Sequence, residues 1–329
     1  MKTIRIGTYK TGFAYYKVKG KGKGEEKTEI TDISAIEKIK ELKIPPAYEN
    51  VTILNNKKII AFGYDSKNRK QVLYHPAFIA KQNQKKYNKI SASIHFFSKL
   101  KRKVAEDLNR GDEKTVAIAV IITLILTCGF RIGNKKYEKD NNSVGLTTLK
   151  YKHLQFQENT NNFIIDFIGK KGVRNMAKCD NKIIHTYLYQ KNKDNDMITD
   201  ATYTDKKDAY IFRYDGDKVI SSNDVNEYLR VISAPYSITI TTKDLRTWNA
   251  NMLFLTYYKK LRKQRNLKHS RSVNAKTDVD TDANANAKDN EKDIKKAIEM
   301  VAHKLHNSYS ICKKSYIDPK IIDSLLHKK

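Results

Sequence analysis

Short apolar runs and alternation fill the first 80 residues, and a three-to-four-residue apolar spacing replaces them further on. β-Prone pieces at Thr3–Thr8, Phe13–Val18, Val51–Leu54, Ile59–Tyr64 and Gln71–Tyr74 are separated by turn residues such as Asn55-Asn56. One helical stretch, Asp32–Leu42, stops before Ile44-Pro45-Pro46 because proline cannot continue a helix. From about Lys85 the period is helical. Ala92–Leu108 places Ile94, Phe97, Leu100, Val104 and Leu108 on one face, with lysines between them. Asp112 is a candidate cap for the next helix, which is uniformly apolar over Val116–Leu126 and ends near Cys128-Gly129. A β excursion follows, in which Asn162–Ile168 and Val173–Cys179 flank Gly169-Lys170-Lys171-Gly172 as a hairpin. Helices resume at Lys182–Tyr189, Ser222–Ile232, Thr242–Lys263, Asp293–Leu305 and Ile311–Tyr316. The stretch 269–292, with its run TDVDTDANANAKDN, lacks large apolar residues and reads as a flexible linker. The expected fold class is α+β, with a small β-rich domain over 1–80 and a larger, mainly helical domain over 81–329.

Charge adds a partner to this picture. Sixty-four Lys+Arg against 36 Asp+Glu leave +28 at pH 7, which makes a polyanion the default ligand and nucleic acid the expected one. The N-terminus, MKTIRIGTYKTGF, has no apolar core of a signal peptide. Val116–Leu126 is far shorter than the ~18–20 residues a membrane span needs. Three scattered cysteines, Cys128, Cys179 and Cys312, suit a reducing compartment, and no CxxC or HxxxH pair argues for zinc. Gly20–Lys27, GKGKGEEK, lacks the spacing of a phosphate-cradling loop and reads as an exposed hairpin tip, so ATP use is not expected. No metal and no other cofactor is expected either.

Breaking a phosphodiester without a metal needs a nucleophile in line with phosphorus, cations or donors on the equatorial oxygens, and a proton for the departing alkoxide. Arginine suits the second task through its planar, permanently charged fork, and lysine the third because its pKa falls among other cations. Four segments offer these types: Cys128–Asn134 with Arg131, the turn Phe167–Gly172 with Lys170, Thr242–Trp248 with Lys243 and Arg246 three residues apart, and Leu305–Pro319 ending in Tyr316. Each is weak by itself, since the chain holds 20 tyrosines. Their order and spacing together are the signal.

These segments resemble those of the type IB DNA topoisomerases, in the small poxvirus-like branch with giant-virus and bacterial members. GFRIGNKKYEKDNNSVGLTTLKYKHL (Gly129–Leu154) is similar to that branch's first-arginine region, FIGKKGV to its lysine hairpin, KDLRTW to its second-arginine motif and ICKKSYIDP to its tyrosine motif. IPPAYENV (Ile44–Val51) and GYDSKNRKQVLYHP (Gly63–Pro76) resemble its DNA-clamping domain. The resemblance implies the tyrosine recombinase/type IB topoisomerase fold for the helical domain. It implies ATP- and metal-independent relaxation of double-stranded DNA by a monomer through a 3′-phosphotyrosine. Tyr316 would be the nucleophile, Arg131 and Arg246 the phosphate clamp, Lys170 the general acid and Lys243 its helper. Gln71, Tyr74, Lys136 and Tyr137, with Lys67 and Arg69 beside them, would contact DNA. The implied location is a bacterial cytoplasm, or a virion or viral factory.

The chain departs from the poxvirus pattern in three places. Asn307 stands nine residues before Tyr316, where poxvirus members carry histidine and bacterial-type members resemble this chain; His306 is the alternative one residue away. Val72 and Asn134 replace an aromatic residue and a lysine. A tyrosine recombinase would share fold and nucleophile, but usually has His-x-x-Arg where this chain has Lys243-Asp244-Leu245-Arg246, and a helical N-terminal part. A non-catalytic DNA-binding protein would share the charge, yet every residue type the chemistry requires is present.

Overall fold

In the computed structural model the described residues are 2–20, 25–196, 205–216, 218–273 and 283–327. Two units separate, Met1–Lys89 and Ile90–Lys329. In the first, alternating side chains produce β1 (Lys2–Thr8), β2 (Gly12–Lys19), β4 (Glu49–Ile53), β5 (Ile59–Tyr64) and β6 (Lys70–Tyr74), joined by a further strand β3 (Glu26–Glu29). The sheet is antiparallel in the order β3-β2-β1-β4-β5-β6. Tyr15, Val51, Ile53, Ile60 and Ala61 form its buried face, covered by Ile36 and Ile39 of α1 (Ile33–Lys40). The Asp32 carboxylate starts α1 by accepting from the N–H groups of Ser34 and Ala35. Arg5 on β1 donates to the carbonyls of Pro45 (3.0 Å) and Tyr48 (2.6 Å), which fastens the proline-containing loop to the sheet.

Two elements of this unit differ from expectation. Strand β3 reads EKTE and is exposed at every position, so it has no alternation to detect; it pairs with β2 through its backbone and its charges protect a sheet edge. Of the expected tip Gly20–Lys27, residues 21–24 lie outside the described residues, and Glu26 and Lys27 belong to β3. Helix α2 (Pro76–Ala92) begins nine residues before Lys85, with proline in the first turn, where a missing N–H costs nothing.

The second unit is built around α4 (Glu113–Cys128), in which every residue from Ala117 to Ile122 is buried. Asp112 caps it by accepting from Thr115 N–H at 2.9 Å. Helix α3 (Ile94–Arg110) packs on α4 through Phe97, Leu100 and Val104. After α5 (Lys135–Asn141), strands β7 (Leu154–Phe156), β8 (Phe163–Ile168) and β9 (Arg174–Cys179) form an antiparallel sheet. Then come α6 (Lys182–Asp196), the two-residue strands β10 (Arg213–Tyr214) and β11 (Lys218–Val219), α7 (Ser222–Ser233), α8 (Thr242–Val273), α9 (Ala283–Lys304), α10 (Tyr309–Ser315) and α11 (Pro319–Leu326). A second core joins α8 to α11 through Ala250, Phe254, Ile298, Val301, Leu305 and Cys312. The fold is thus mixed helix and antiparallel sheet, as the hydrophobic pattern requires.

The expected flexible linker at 269–292 needs correcting. Helix α8 runs to Val273 and α9 starts at Ala283, so both enter that stretch; residues 274–282 lie outside the described ones. Alanine and lysine are good helix formers, and one polar anchor replaces the missing apolar side chains. Asn290 Oδ1 accepts from the Tyr258 hydroxyl at 2.6 Å, and its amide donates to the Leu325 carbonyl at 2.8 Å. Among the described residues no helix is long and apolar enough to cross a membrane. Asn290→Ala leaves both partners of the amide unmatched and is expected to cost about 1–3 kcal/mol, read as a lower urea midpoint.

Candidate active site

The site is assembled where α4, α8, α9 and α10 end or begin. Gly129 terminates α4 at φ 70°, and a Cβ there would meet the Lys304 carbonyl oxygen at 2.2 Å. Only glycine lets the chain leave α4 so close to the end of α9. Phe130 is then fully buried and Arg131 emerges, its Nη2 donating to Asn307 Oδ1 at 2.6 Å. The segment is held from behind as well, since the Arg131 carbonyl accepts from Leu146 N–H (3.0 Å) and that of Ile132 from Thr147 N–H (2.7 Å).

His306 and Asn307 divide into brace and donor. His306 adopts φ 53°, stacks on Phe130 with centroids 5.1 Å apart, and places Nε2 3.1 Å from the Cys128 carbonyl oxygen. Burial lowers its pKa below the usual histidine value, against the opposing effect of that carbonyl contact. Asn307 shares the cleft wall with His306, and its Nδ2 is buried without a hydrogen-bond partner. An orphaned donor beside an arginine is what an absent anion would satisfy.

Arg246 is almost fully buried in the second turn of α8, whose N-terminal Thr241 donates from backbone and hydroxyl to Asp244 Oδ2. Its guanidinium donates to the carbonyls of Gly129 and Leu305. It also lies 5.5 Å from the centroid of the Tyr316 ring, while its Nε has no partner. Burial lowers its pKa to about 10, helped by Arg131 and opposed by Tyr316, so the group stays cationic at neutral pH. Lys243 does not share this environment. It is exposed, whereas Arg246 three residues on is buried.

Tyr316 follows α10, which starts at Ser308 as Ile311 N–H bonds to its hydroxyl at 3.4 Å. Asn251 fixes the tyrosine's backbone to α8: Nδ2 donates to the Tyr316 carbonyl at 2.8 Å, and Oδ1 accepts from Asp318 N–H at 2.8 Å. Sequence reading did not single out Asn251. The available signal was Asn249 and Asn251 standing among the apolar residues Trp248, Ala250 and Phe254 of α8. Burial by itself would raise the phenol's pKa. The charges of Arg246 and Arg131, with the Arg246 and Asn307 side chains close by, outweigh it and hold the group below its ordinary value.

Lys170 reaches the same cleft from the sheet. The β8–β9 turn is closed by Gly169 N–H on the Val173 carbonyl at 2.8 Å, and it leaves the side chains of Lys170 and Lys171 exposed. They line a cleft of roughly 800 Å³ with Arg131, Asn307 and Tyr316. One wall thus offers an acidified phenol, with the buried Arg246 against its ring, beside the Arg131 guanidinium and an amide, and the other an ammonium. That set can attack, hold and protonate a phosphodiester.

The expected DNA-contacting residues are placed separately. In the first unit Asp65 organises the β5–β6 loop, accepting from the N–H groups of Lys67 and Arg69, from the Arg69 side chain (2.9 Å) and from Gln71 Nε2 (2.9 Å). The Arg69 hydrogen bond outweighs burial and holds the Asp65 carboxyl at about 2. Tyr74 stacks on Phe78 at 5.3 Å. In the second unit Lys136 and Tyr137 are exposed on α5, capped by Asn134, whose Oδ1 accepts from Lys136 N–H at 2.8 Å.

Comparison with known proteins bears on this arrangement. Residues 66–328 match the family described as eukaryotic DNA topoisomerase I, catalytic core, and residues 12–65 match the bacterial DNA topoisomerase IB N-terminal domain. The chain is similar to DNA topoisomerase 1B of Acanthamoeba polyphaga mimivirus, 27% identical over 86% of this chain and 77% of the relative. It is 26% identical to DNA topoisomerase I of Monkeypox virus and to DNA topoisomerase 1B of Vaccinia virus (strain Copenhagen), over 68% of this chain and 67% of either relative.

Because the Arg131 charge favours the ionised phenol, Arg131→Ala is expected to raise the Tyr316 pKa. An ultraviolet titration of each protein, with its Tyr316→Phe counterpart subtracted, measures the displacement.

Proposed function

The chain belongs to the type IB DNA topoisomerase family, and from that premise we propose that Tyr316 carries its strand cleavage. The phenolic oxygen attacks a phosphodiester phosphorus, forming the Tyr316–phosphorus bond as the bond to the 5′-oxygen breaks. The phenol's proton passes to solvent, and Lys170 protonates the departing 5′-oxygen. The product is a 3′-phosphotyrosine and a 5′-hydroxyl strand end; reversal of the same steps reseals the strand. Between the two, the end not bonded to protein swivels under torsion, so no fuel is consumed.

The observation that carries this reading is the convergence of Arg131, Arg246, Asn307 and Tyr316, with two buried nitrogens, Asn307 Nδ2 and Arg246 Nε, lacking partners. A phosphate bound there would give these donors acceptors and add the charge that Arg246 is buried without. Asn307 takes the place of the histidine of poxvirus relatives as a neutral donor. Lys243, exposed in the DNA-free protein, would assist proton transfer once a duplex fills the cleft. Arg131, Asn307 and Tyr316 at helix ends beside two apolar cores, with Lys170 on a hairpin, support a reading of the helical unit as the tyrosine recombinase/type IB topoisomerase fold.

DNA would be held by Lys136 and Tyr137 on α5 and by Lys67, Arg69, Gln71 and Tyr74 of the β-rich unit. A monomer suffices, since one tyrosine completes the cycle. Neither ATP nor a metal is assigned a step.

The wild-type chain is expected to relax supercoiled plasmid without ATP or magnesium and to leave a covalent adduct on end-labelled duplex that maps to Tyr316. An equal, zero yield of adduct from wild type and Tyr316→Phe would overturn the assignment. Binding is expected to weaken steeply with salt, with a log–log slope of about −0.9 per neutralised phosphate; a flat salt series would contradict the basic clamp.

A further inference from the structure

The inward face of the β8–β9 hairpin is apolar at every position but one. Phe163, Ile165 and Phe167 of β8 point into the core and pair with Cys179, Ala177 and Asn175 of β9. Asn175 is 2% exposed. A strand alternating toward a core would place an aliphatic residue there, and an amide at such a site is costly unless its bonds serve a purpose.

The bond it makes is at the neck of the lysine turn. Asn175 Nδ2 donates to the Val173 carbonyl at 2.8 Å, and that same oxygen accepts from Gly169 N–H at 2.8 Å. The amide lies so close under the turn that a Cβ on Gly169 would be 2.4 Å from its nitrogen. Above this neck, Lys171 and Gly172 both take left-handed backbone angles, φ 63° and 73°, and for lysine that conformation is strained. A strained turn persists where its surroundings over-determine it. The donor from β9 supplies that constraint from a side chain that is itself buried. The ion pair between Arg174 and Asp166 on the outer face is exposed to screening instead.

We propose that Asn175 is a positioning residue for Lys170, fixing the turn in the form that projects the ammonium into the cleft. The inference rests on the reading of Lys170 as proton donor to the 5′-oxygen. It predicts a defect confined to proton transfer, because Asn175 touches neither DNA-facing surface nor the tyrosine wall. Geometry errors of about 1 Å at a reacting group can cost on the order of 10²-fold in rate.

The test compares single-turnover cleavage of two duplexes by the full chain, one with an ordinary scissile phosphate and one with sulfur at the 5′-bridging position. A thiol has a pKa near ~8.5, so a thiolate departs without an added proton and general-acid help becomes superfluous. Asn175→Leu keeps volume and removes the donor. It is expected to cleave the ordinary duplex roughly 10–100-fold more slowly than wild type, to cleave the sulfur duplex within about threefold, and to bind DNA with unchanged Kd. Lys170→Ala, run alongside, is expected to show the same selective recovery. Wild-type rates for Asn175→Leu on the ordinary duplex would overturn the proposal. So would equal slowing on both duplexes while Lys170→Ala recovers on sulfur. If Lys170→Ala stays slow on sulfur, the proton-donor reading itself fails and this inference falls with it. Should the leucine variant not fold, Asn175→Asp, which puts an acceptor where the donor was, is measured on the same two duplexes. The same selective slowing is expected of it, and its absence would overturn the proposal in the same way.

Discussion

A buried arginine is the constraint on which the catalytic unit depends. Taking a guanidinium out of water costs several kcal/mol, and Arg246 recovers part of this from the carbonyls of Gly129 and Leu305 and from the Tyr316 ring. Those partners belong to the end of α4, the end of α9 and the segment after α10. One cation therefore registers three chain segments far apart in sequence. None of the contacts supplies a full negative charge, and the site keeps an unspent preference for an anion. The guanidinium charge lowers the pKa of the Tyr316 phenol, so the group that organises the fold also acidifies its neighbour.

Around this centre the cleft has two walls of different character. Arg131, Asn307 and Tyr316 stand at helix ends and are tied by backbone and amide bonds into two apolar cores. Lys170 stands on a four-residue turn. Phosphate-holding groups gain from rigidity because the charge they meet changes little between bound states. A proton donor must instead meet an oxygen whose bond is breaking, and a hairpin offers reach at the cost of intrinsic order. The buried amide of Asn175 at the neck of that hairpin reconciles the two demands, by the same device with which Asn251 fixes the backbone of Tyr316. In both places a polar side chain on an apolar face marks where geometry matters more than packing.

The residues proposed to hold the duplex are each prepared by local structure. Asp65 gathers Lys67, Arg69 and Gln71 into one loop. Asn134 caps α5, so the residue that departs from the poxvirus lysine has a structural task. Lys136 and Tyr137 are thereby presented on an ordered helix.

Much of this was legible in the sequence, for definite reasons. A long apolar run placed α4, alternation placed the β8–β9 hairpin, and Asp112 marked the start of α4. The ordered set of Arg131, Lys170, Arg246 and Tyr316 pointed to the family, and each residue type suits one step of the proposed phosphoryl transfer. Other features left no local trace. Strand β3 is held by backbone pairing, and α9 reaches back to Ala283 because Asn290 bonds to residues on two other helices. Whether His306 or Asn307 offers its donor to the cleft depends on a left-handed residue stacked against Phe130, and that Arg246 is buried while Lys243 is exposed shows only in the folded chain. The sequence by itself determined the family to which the chain belongs and the residue types it offers a phosphodiester, since these are fixed by composition and order before folding. The tertiary structure alone decided how those groups are oriented and charged, since burial and long-range hydrogen bonds exist only once the chain has closed on itself.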